Sequence, residues 1–194
     1  MLRIGKLAFG VMFIASQVFA GGEESWSSVA EHSSIAFGSV KKDVVGEVHH
    51  FDSVSGTVKA DGSVSIMIDV TSVETNIEIR NERMLKHVFS DGLALAKIEG
   101  SIDMSDVNGL DIGSTDVVDF EGVLTLAGVP ADIEAEMLVA RLSENRVLVT
   151  TADFIMVSTA DLGIDPGIDQ LMALAKLPSI TRVTPVTIRM VFEK

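Results

Sequence analysis

Residues 118–139 read VDFEGVLTLAGVPADIEAEMLV, and their alternation decides the fold. Val118, Phe120, Gly122, Leu124 and Leu126 fall on one parity, against Asp119, Glu121 and Thr125 on the other. Ile133, Ala135, Met137 and Val139 repeat the pattern against Asp132, Glu134 and Glu136. Successive side chains of a strand point to opposite faces, so a period of two with polar partners marks strands with one buried face. Parallel strands buried on both faces read as continuous apolar runs, so these strands are antiparallel.

The period continues outward in both directions. Val64, Ile66, Ile68 and Val70 alternate with Ser63, Ser65, Met67 and Asp69, and Val186, Ile188, Met190 and Phe192 with Thr187 and Arg189. Asp61-Gly62 joins residues 51–60 to 63–71, and such a pair between alternating runs is a strong hairpin signal. Ser143-Glu144-Asn145-Arg146 separates 132–142 from 147–155, while Asn108-Gly109 through Gly113-Ser114 reads as a longer loop. Short strands joined this way make a sandwich or a barrel. Two segments break the period. Residues 77–90 place Met84, Leu85, Val88 and Phe89 at helical spacing, with Arg80, Arg83 and His87 on another face. Residues 167–177, between Pro166 and Pro178, suggest a second short helix through Ile168, Leu171, Met172 and Leu174. The expected fold is an all-β, antiparallel barrel carrying one or two short helices, with no linker or internal repeat to divide it.

The first 20 residues read as an export signal. Arg3 and Lys6 precede an apolar run from Leu7 to Ala20, and Val18-Phe19-Ala20 precedes Gly21-Gly22 as a cleavage site does. The run is shorter than the roughly 20 residues a spanning helix needs. The expected arrangement is a signal peptide over 1–20 and one domain over 21–194, exported to the periplasm, with no stable membrane insertion after cleavage. Losing the two charges of Arg3 and Lys6 takes the formal charge of −13 to −15. So acidic a surface repels phosphate backbones and argues against nucleic-acid binding. Cysteine is absent, which removes thiolate catalysis, thiolate metal ligation and lipoprotein-type attachment. An apolar content of 47% supplies a core without disulfides.

Catalytic and metal signatures are weak. His49 and His50 are adjacent, so on a strand they face opposite ways and ligate one ion only across a bulge. His32 and His87 have no partner at ligand spacing. Asp161, Asp165 and Asp169 crowd three carboxylates for calcium but lack a closing bidentate glutamate. No Gly-x-Ser-x-Gly elbow and no phosphate-binding loop occur. No enzyme and no cofactor are expected. An eight-stranded barrel is either packed by its own side chains or holds one small ligand, and alternation alone does not separate the two.

The order of motifs resembles the YceI-like family of polyisoprenoid-binding-like exported barrels, from Ser25 to Lys194. Glu31-His32-Ser33-Ser34-Ile35-Ala36-Phe37 is similar to the family's opening strand, and Gly46–Gly56, GEVHHFDSVSG, to the segment before its first hairpin. Val73-Glu74-Thr75-Asn76, then Ile79-Arg80-Asn81-Glu82-Arg83 and Leu85, resembles its strand end and following helix. Leu124–Val129 and Ala160-Asp161-Leu162-Gly163-Ile164 resemble its later hairpin and turn. The chain departs at Asp91-Gly92-Leu93-Ala94-Leu95, which lacks the usual Tyr-Pro, and at Ala127 and Leu162, where the family carries histidine and phenylalanine.

The resemblance implies an extended lipocalin-like barrel whose lumen holds an isoprenoid, quinone or similar long-chain lipid, without catalysis. The strand positions assigned to the lining are Ile66, Ile68, Phe120, Leu124, Met137, Val139, Val149 and Met190, with Met84 and Phe89 from the helix. Plain core packing is the competing reading of each. Arg80 and Arg83 are assigned to a polar headgroup at the barrel mouth, with pairing to nearby acids as the alternative. A homodimer is allowed. The rival reading of the whole is a filled barrel serving a structural or stress-response role.

Overall fold

The hairpin read over residues 118–139 forms. The structure, a computed structural model, describes residues 25–89 and 95–194. In it β8 (Thr115–Leu126) and β9 (Val129–Ser143) pair antiparallel from Leu126↔Val129 to Thr115↔Ala140. The turn between them is Ala127-Gly128, with φ of 61° and 75°. Two left-handed residues match the twist of flanking strands, and glycine takes one of them without steric cost. The signal peptide read over 1–20 and the departure at Asp91–Ala94 lie outside the described residues.

Ten further strands complete the sheet: β1 (Trp26–Ser28), β2 (Ser34–Lys41), β3 (Val45–Phe51), β4 (Val54–Val58), β5 (Ser63–Asp69), β6 (Val73–Glu74), β7 (Leu95–Ser101), β10 (Arg146–Thr151), β11 (Ile155–Ser158) and β12 (Val183–Glu193). All pairings are antiparallel. Eight staves result, because β1 with β2, β3 with β4, β5 with β6, and β10 with β11 each form one interrupted stave. The ring runs β4–β5–β7–β8–β9–β10–β12 and closes where β1 pairs with both β12 and β4. The long β12 is the seam: β10 and β11 line one edge, β1 and β2 the other. Closure removes the open edges that would template aggregation.

The interruptions are locally encoded. Asp69 accepts from the backbone N–H of Thr71 at 2.9 Å, fixing a 3₁₀ turn at Val70–Ser72 between β5 and β6. Ala30–His32 forms another between β1 and β2, so Glu31 and His32 of the expected opening strand sit in a turn, and the strand begins at Ser34.

Among the described residues three short helices occur where one or two were expected. α1 (Glu78–His87) and α3 (Asp165–Ala175) match the two aperiodic segments within a few residues. The third, α2 (Met104–Asn108), is a single capped turn, its Asp103 side chain accepting from Ser105 N–H at 2.8 Å. Five residues are too few to show a 3.6 period. α1 and α3 pack together over one end of the barrel at Gly167, where a Cβ would stand 2.3 Å from the His87 carbonyl oxygen. Only glycine allows that backbone approach. The inward parity of β5, β8, β9 and β12 forms the core, with Ile66, Ile68, Val118, Phe120, Met137, Val139, Ile188 and Met190 all buried. Among the described residues no helix is long and apolar enough to cross a membrane.

Candidate functional site

Among the described residues the interior holds an upper and a lower chamber. The upper, under α1 and α3, is a cavity of about 440 Å³ with predominantly apolar walls. The lower, at the α2 end, is about 60 Å³. Ile188 lines both. Cavities that hold small ligands run about 300–1,000 Å³, so the upper chamber is of ligand size and the lower is not.

The assigned lining residues split between the chambers. Ile68, Leu124, Met84 and Phe89 line the upper one, together with Arg80 and Arg83. Ile66, Phe120, Met137, Val139, Val149 and Met190 line the lower, around Trp26. Parity tells which face a residue takes but not its height along the barrel. The upper wall also includes residues not assigned from sequence: Ile35, Phe37 and Phe51 on β2 and β3, and Ile168 and Leu171 on α3.

At the mouth, polar side chains take inward positions that are apolar elsewhere in the barrel. On β3 the inward positions are Glu47, His49 and Phe51, while Val48 is 70% exposed. On β2 the inward series is Ile35, Phe37, Ser39 and Lys41. Polar residues therefore face the lumen in two tiers. The outer tier is an ion cluster in which Glu47 Oε1 accepts from Lys41 Nζ at 2.7 Å and Arg80 Nη2 at 2.9 Å. Burial alone would raise the Glu47 pKa; the Lys41 hydrogen bond and the charge of Arg80 outweigh it and hold the carboxyl below its ordinary value. Arg83, also at the mouth, forms no ion pair among the described residues.

The inner tier is His49 with Ser39. His49 Nε2 lies 3.0 Å from Ser39 Oγ. Its Nδ1 is buried and has no hydrogen-bond partner among the described residues. Burial and then the positive charge of Arg80, with Lys41 and His50 adding to it against Glu47, lower the His49 pKa, so the ring is neutral near pH 7. Among the described residues no carboxylate reaches Nδ1, so this serine–histidine pair lacks the acid that orients a catalytic triad. Phe37 stands directly across from His49, with ring centroids 5.2 Å apart, and stacks on Phe51 at 5.2 Å, which meets Phe89 at 5.9 Å. His50, on the opposite face, pairs with Asp52.

Of the helices over the mouth, α1 is pinned by residues that carry the family resemblance. Thr75 donates to Asn81 Oδ1 from its backbone N–H (2.9 Å) and its hydroxyl (2.6 Å), and Asn81 Nδ2 donates to Glu74 at 3.1 Å. Asn76 turns the chain at φ 60°, a left-handed conformation asparagine tolerates. These bonds set α1 so that Arg80 reaches Glu47. α3 is held by Arg182, which pairs with Asp165 and Asp169. Two of the three acids considered for calcium are thus committed to an arginine. Among the described residues no three His, Asp or Glu side chains gather at metal-binding distance.

Comparison with known proteins places this geometry. The family model of the YceI-like domain matches residues 26–192. A solved structure described as a polyisoprenoid binding domain from Saccharophagus degradans, implicated in plant cell wall breakdown, is 34% identical. It aligns over 87% of this chain and 97% of its own, with a TM-score of 0.83. BcnA from Burkholderia cenocepacia shares the fold at 15% identity and a TM-score of 0.65, over 84% of this chain and 98% of its own. No curated protein gives a significant match.

Proposed function

The chain belongs to the YceI-like family, and on that premise we propose that it is an exported, periplasmic carrier that holds an isoprenoid, quinone or similar long-chain lipid in its upper chamber, without catalysis. One observation carries the reading: a ligand-sized apolar cavity of about 440 Å³ opening through a polar mouth. The description of the Saccharophagus relative as polyisoprenoid-binding supports the ligand class. The filled-barrel alternative suits the lower chamber but not the upper.

Burying a methylene stabilises by about 0.8 kcal/mol, so a five-carbon isoprene unit contributes up to about 4 kcal/mol. Eight units fully buried would pass the ceiling near 20 kcal/mol on non-covalent affinity, so ordering of the chain offsets much of that gain or part of a long chain stays outside. The polar end then lies at the mouth, where Arg80 and Arg83 face the headgroup. Solvent extraction and mass spectrometry of the purified mature protein, with its native mass, test the proposal. A stoichiometric long-chain lipid is expected; lipid-free protein that also takes up no isoprenoid on incubation refutes it.

A further inference from the structure

The inner tier of the mouth goes beyond a generic apolar lumen. We propose that His49 and Ser39 form a polar subsite that receives a neutral oxygen, hydroxyl or carbonyl, carried by the lumen ligand near its polar end. This rests on the carrier reading.

His49 is 3% exposed, and parity with Glu47 and Phe51 turns it into the cavity. Buried polar atoms in folded proteins are almost always paired, because leaving one unpaired forfeits its hydration without return. Nε2 meets that rule through Ser39 and Nδ1 does not. His49 belongs to the cavity wall, and its Nδ1, just beneath the wall's surface, comes within reach of a ligand atom by a small turn of the ring. The wall around it explains which atom. The charges sit one tier out, where Lys41, Glu47 and Arg80 bind each other. Beside the imidazole and one tier in, Phe37, Phe51 and Phe89 form an aromatic belt. Between them an ionic group would be stripped of water against a neutral ring, whereas an uncharged oxygen pairs with it.

The tautomer sorts the two oxygens. If the Ser39 hydroxyl donates to Nε2, the Nδ1–H donates and either a carbonyl or a hydroxyl completes it. If Nε2–H donates to Ser39, Nδ1 accepts and only a hydroxyl does. The strand itself marks the place: Val48, not His49, takes the solvent side of β3, against the usual polar-out rule.

The test titrates delipidated protein with a twenty-carbon isoprenoid alcohol, the aldehyde of equal length and the matching hydrocarbon, following displacement of a fluorescent fatty-acid probe. The native protein is expected to favour an oxygenated chain over the hydrocarbon by about tenfold, the worth of one hydrogen bond. His49→Leu is expected to erase that preference while keeping hydrocarbon affinity. Preference for the alcohol alone assigns Nδ1 as acceptor; equal preference for alcohol and aldehyde assigns it as donor. A preference that survives His49→Leu, or that is absent from the native protein, overturns the subsite and leaves the carrier standing. Failure of all three chains to bind overturns both. Should His49→Leu not fold, ¹⁵N-histidine spectra of the native protein decide. One of the four histidines is expected to shift its Nδ1 resonance with the oxygenated chains and not with the hydrocarbon, and an unchanged spectrum counts against the subsite.

Discussion

Substitution Ala96→Phe blocks the upper chamber without touching its mouth. Ala96 is 4% exposed on β7, paired to Ile68 on one side and Leu126 on the other, and faces the cavity. A cavity of about 150 Å³ admits benzene, so a phenyl ring takes up to about a third of the available 440 Å³. Filling that space contributes about 1.5–3 kcal/mol, against about 1–3 kcal/mol of packing strain, so the lipid-free variant should melt within a few degrees of the native protein. The ligand pays differently. Excluding one isoprene unit forgoes up to about 4 kcal/mol, or two to three powers of ten in affinity. At a ligand concentration near a hundred times the native Kd, binding stabilises the native protein by about 2.7 kcal/mol. For a domain of this size that is a rise in Tm of roughly 5–10 °C. The variant at the same concentration should keep less than about 0.5 kcal/mol of it, a shift near 1 °C. Paired thermal melts with and without a twenty-carbon isoprenoid measure this. A variant that folds and retains the full shift would show that the ligand lies elsewhere.

Three further outcomes follow from the same geometry. Met190→Ala, at a site 1% exposed beside the lower chamber, should cost about 2–5 kcal/mol by chemical denaturation yet leave the isoprenoid affinity of the folded protein unchanged. Gly167→Ala drives a Cβ into the His87 carbonyl and, at 2.8 Å, the Val88 Cα. α3 must then slide from α1, lowering stability by about 1–3 kcal/mol and speeding lipid exchange in stopped-flow transfer. Stability should also fall with acid in two windows. The unfolded chain protonates His49 near 6.5 while the folded chain resists, so stability is full above that value and declines as pH falls from it toward the lowered folded pKa. Glu47 adds stability above its ordinary 4.5 that is lost as pH falls through its own lowered folded pKa. Urea midpoints across this range should flatten in the upper window for His49→Leu and in the lower for Glu47→Gln.

Alternation alone makes most of the barrel readable in the sequence. Each inward series on β5, β8, β9 and β12 needed only one buried face to reveal itself, and α1 and α3 stood out by breaking the period. Height along the barrel was not readable: Ile66 and Ile68 are two residues apart on the same face, yet one lines the lower chamber and the other the upper. The mouth was hidden for a different reason. His49 and Glu47 look like solvent positions by type, and only counting back by twos from Phe51 turns them inward. Fixing Phe51 itself as inward needed its pairing with Ile35 on β2, a long-range register that no local signal carries. α2 was missed because one turn is too short for a period.

Ile188, the residue shared by both chambers, gives the barrel a ruler. It stands on β12 opposite Ile35, where the staves are interrupted on the neighbouring β1–β2 edge. A chain threading down from the mouth gains buried length until its end meets that branched side chain, and each carbon beyond must bend back or remain outside. Affinity plotted against chain length should climb and then level off, and shaving Ile188 to alanine would move the plateau toward longer chains by joining the lower chamber to the upper.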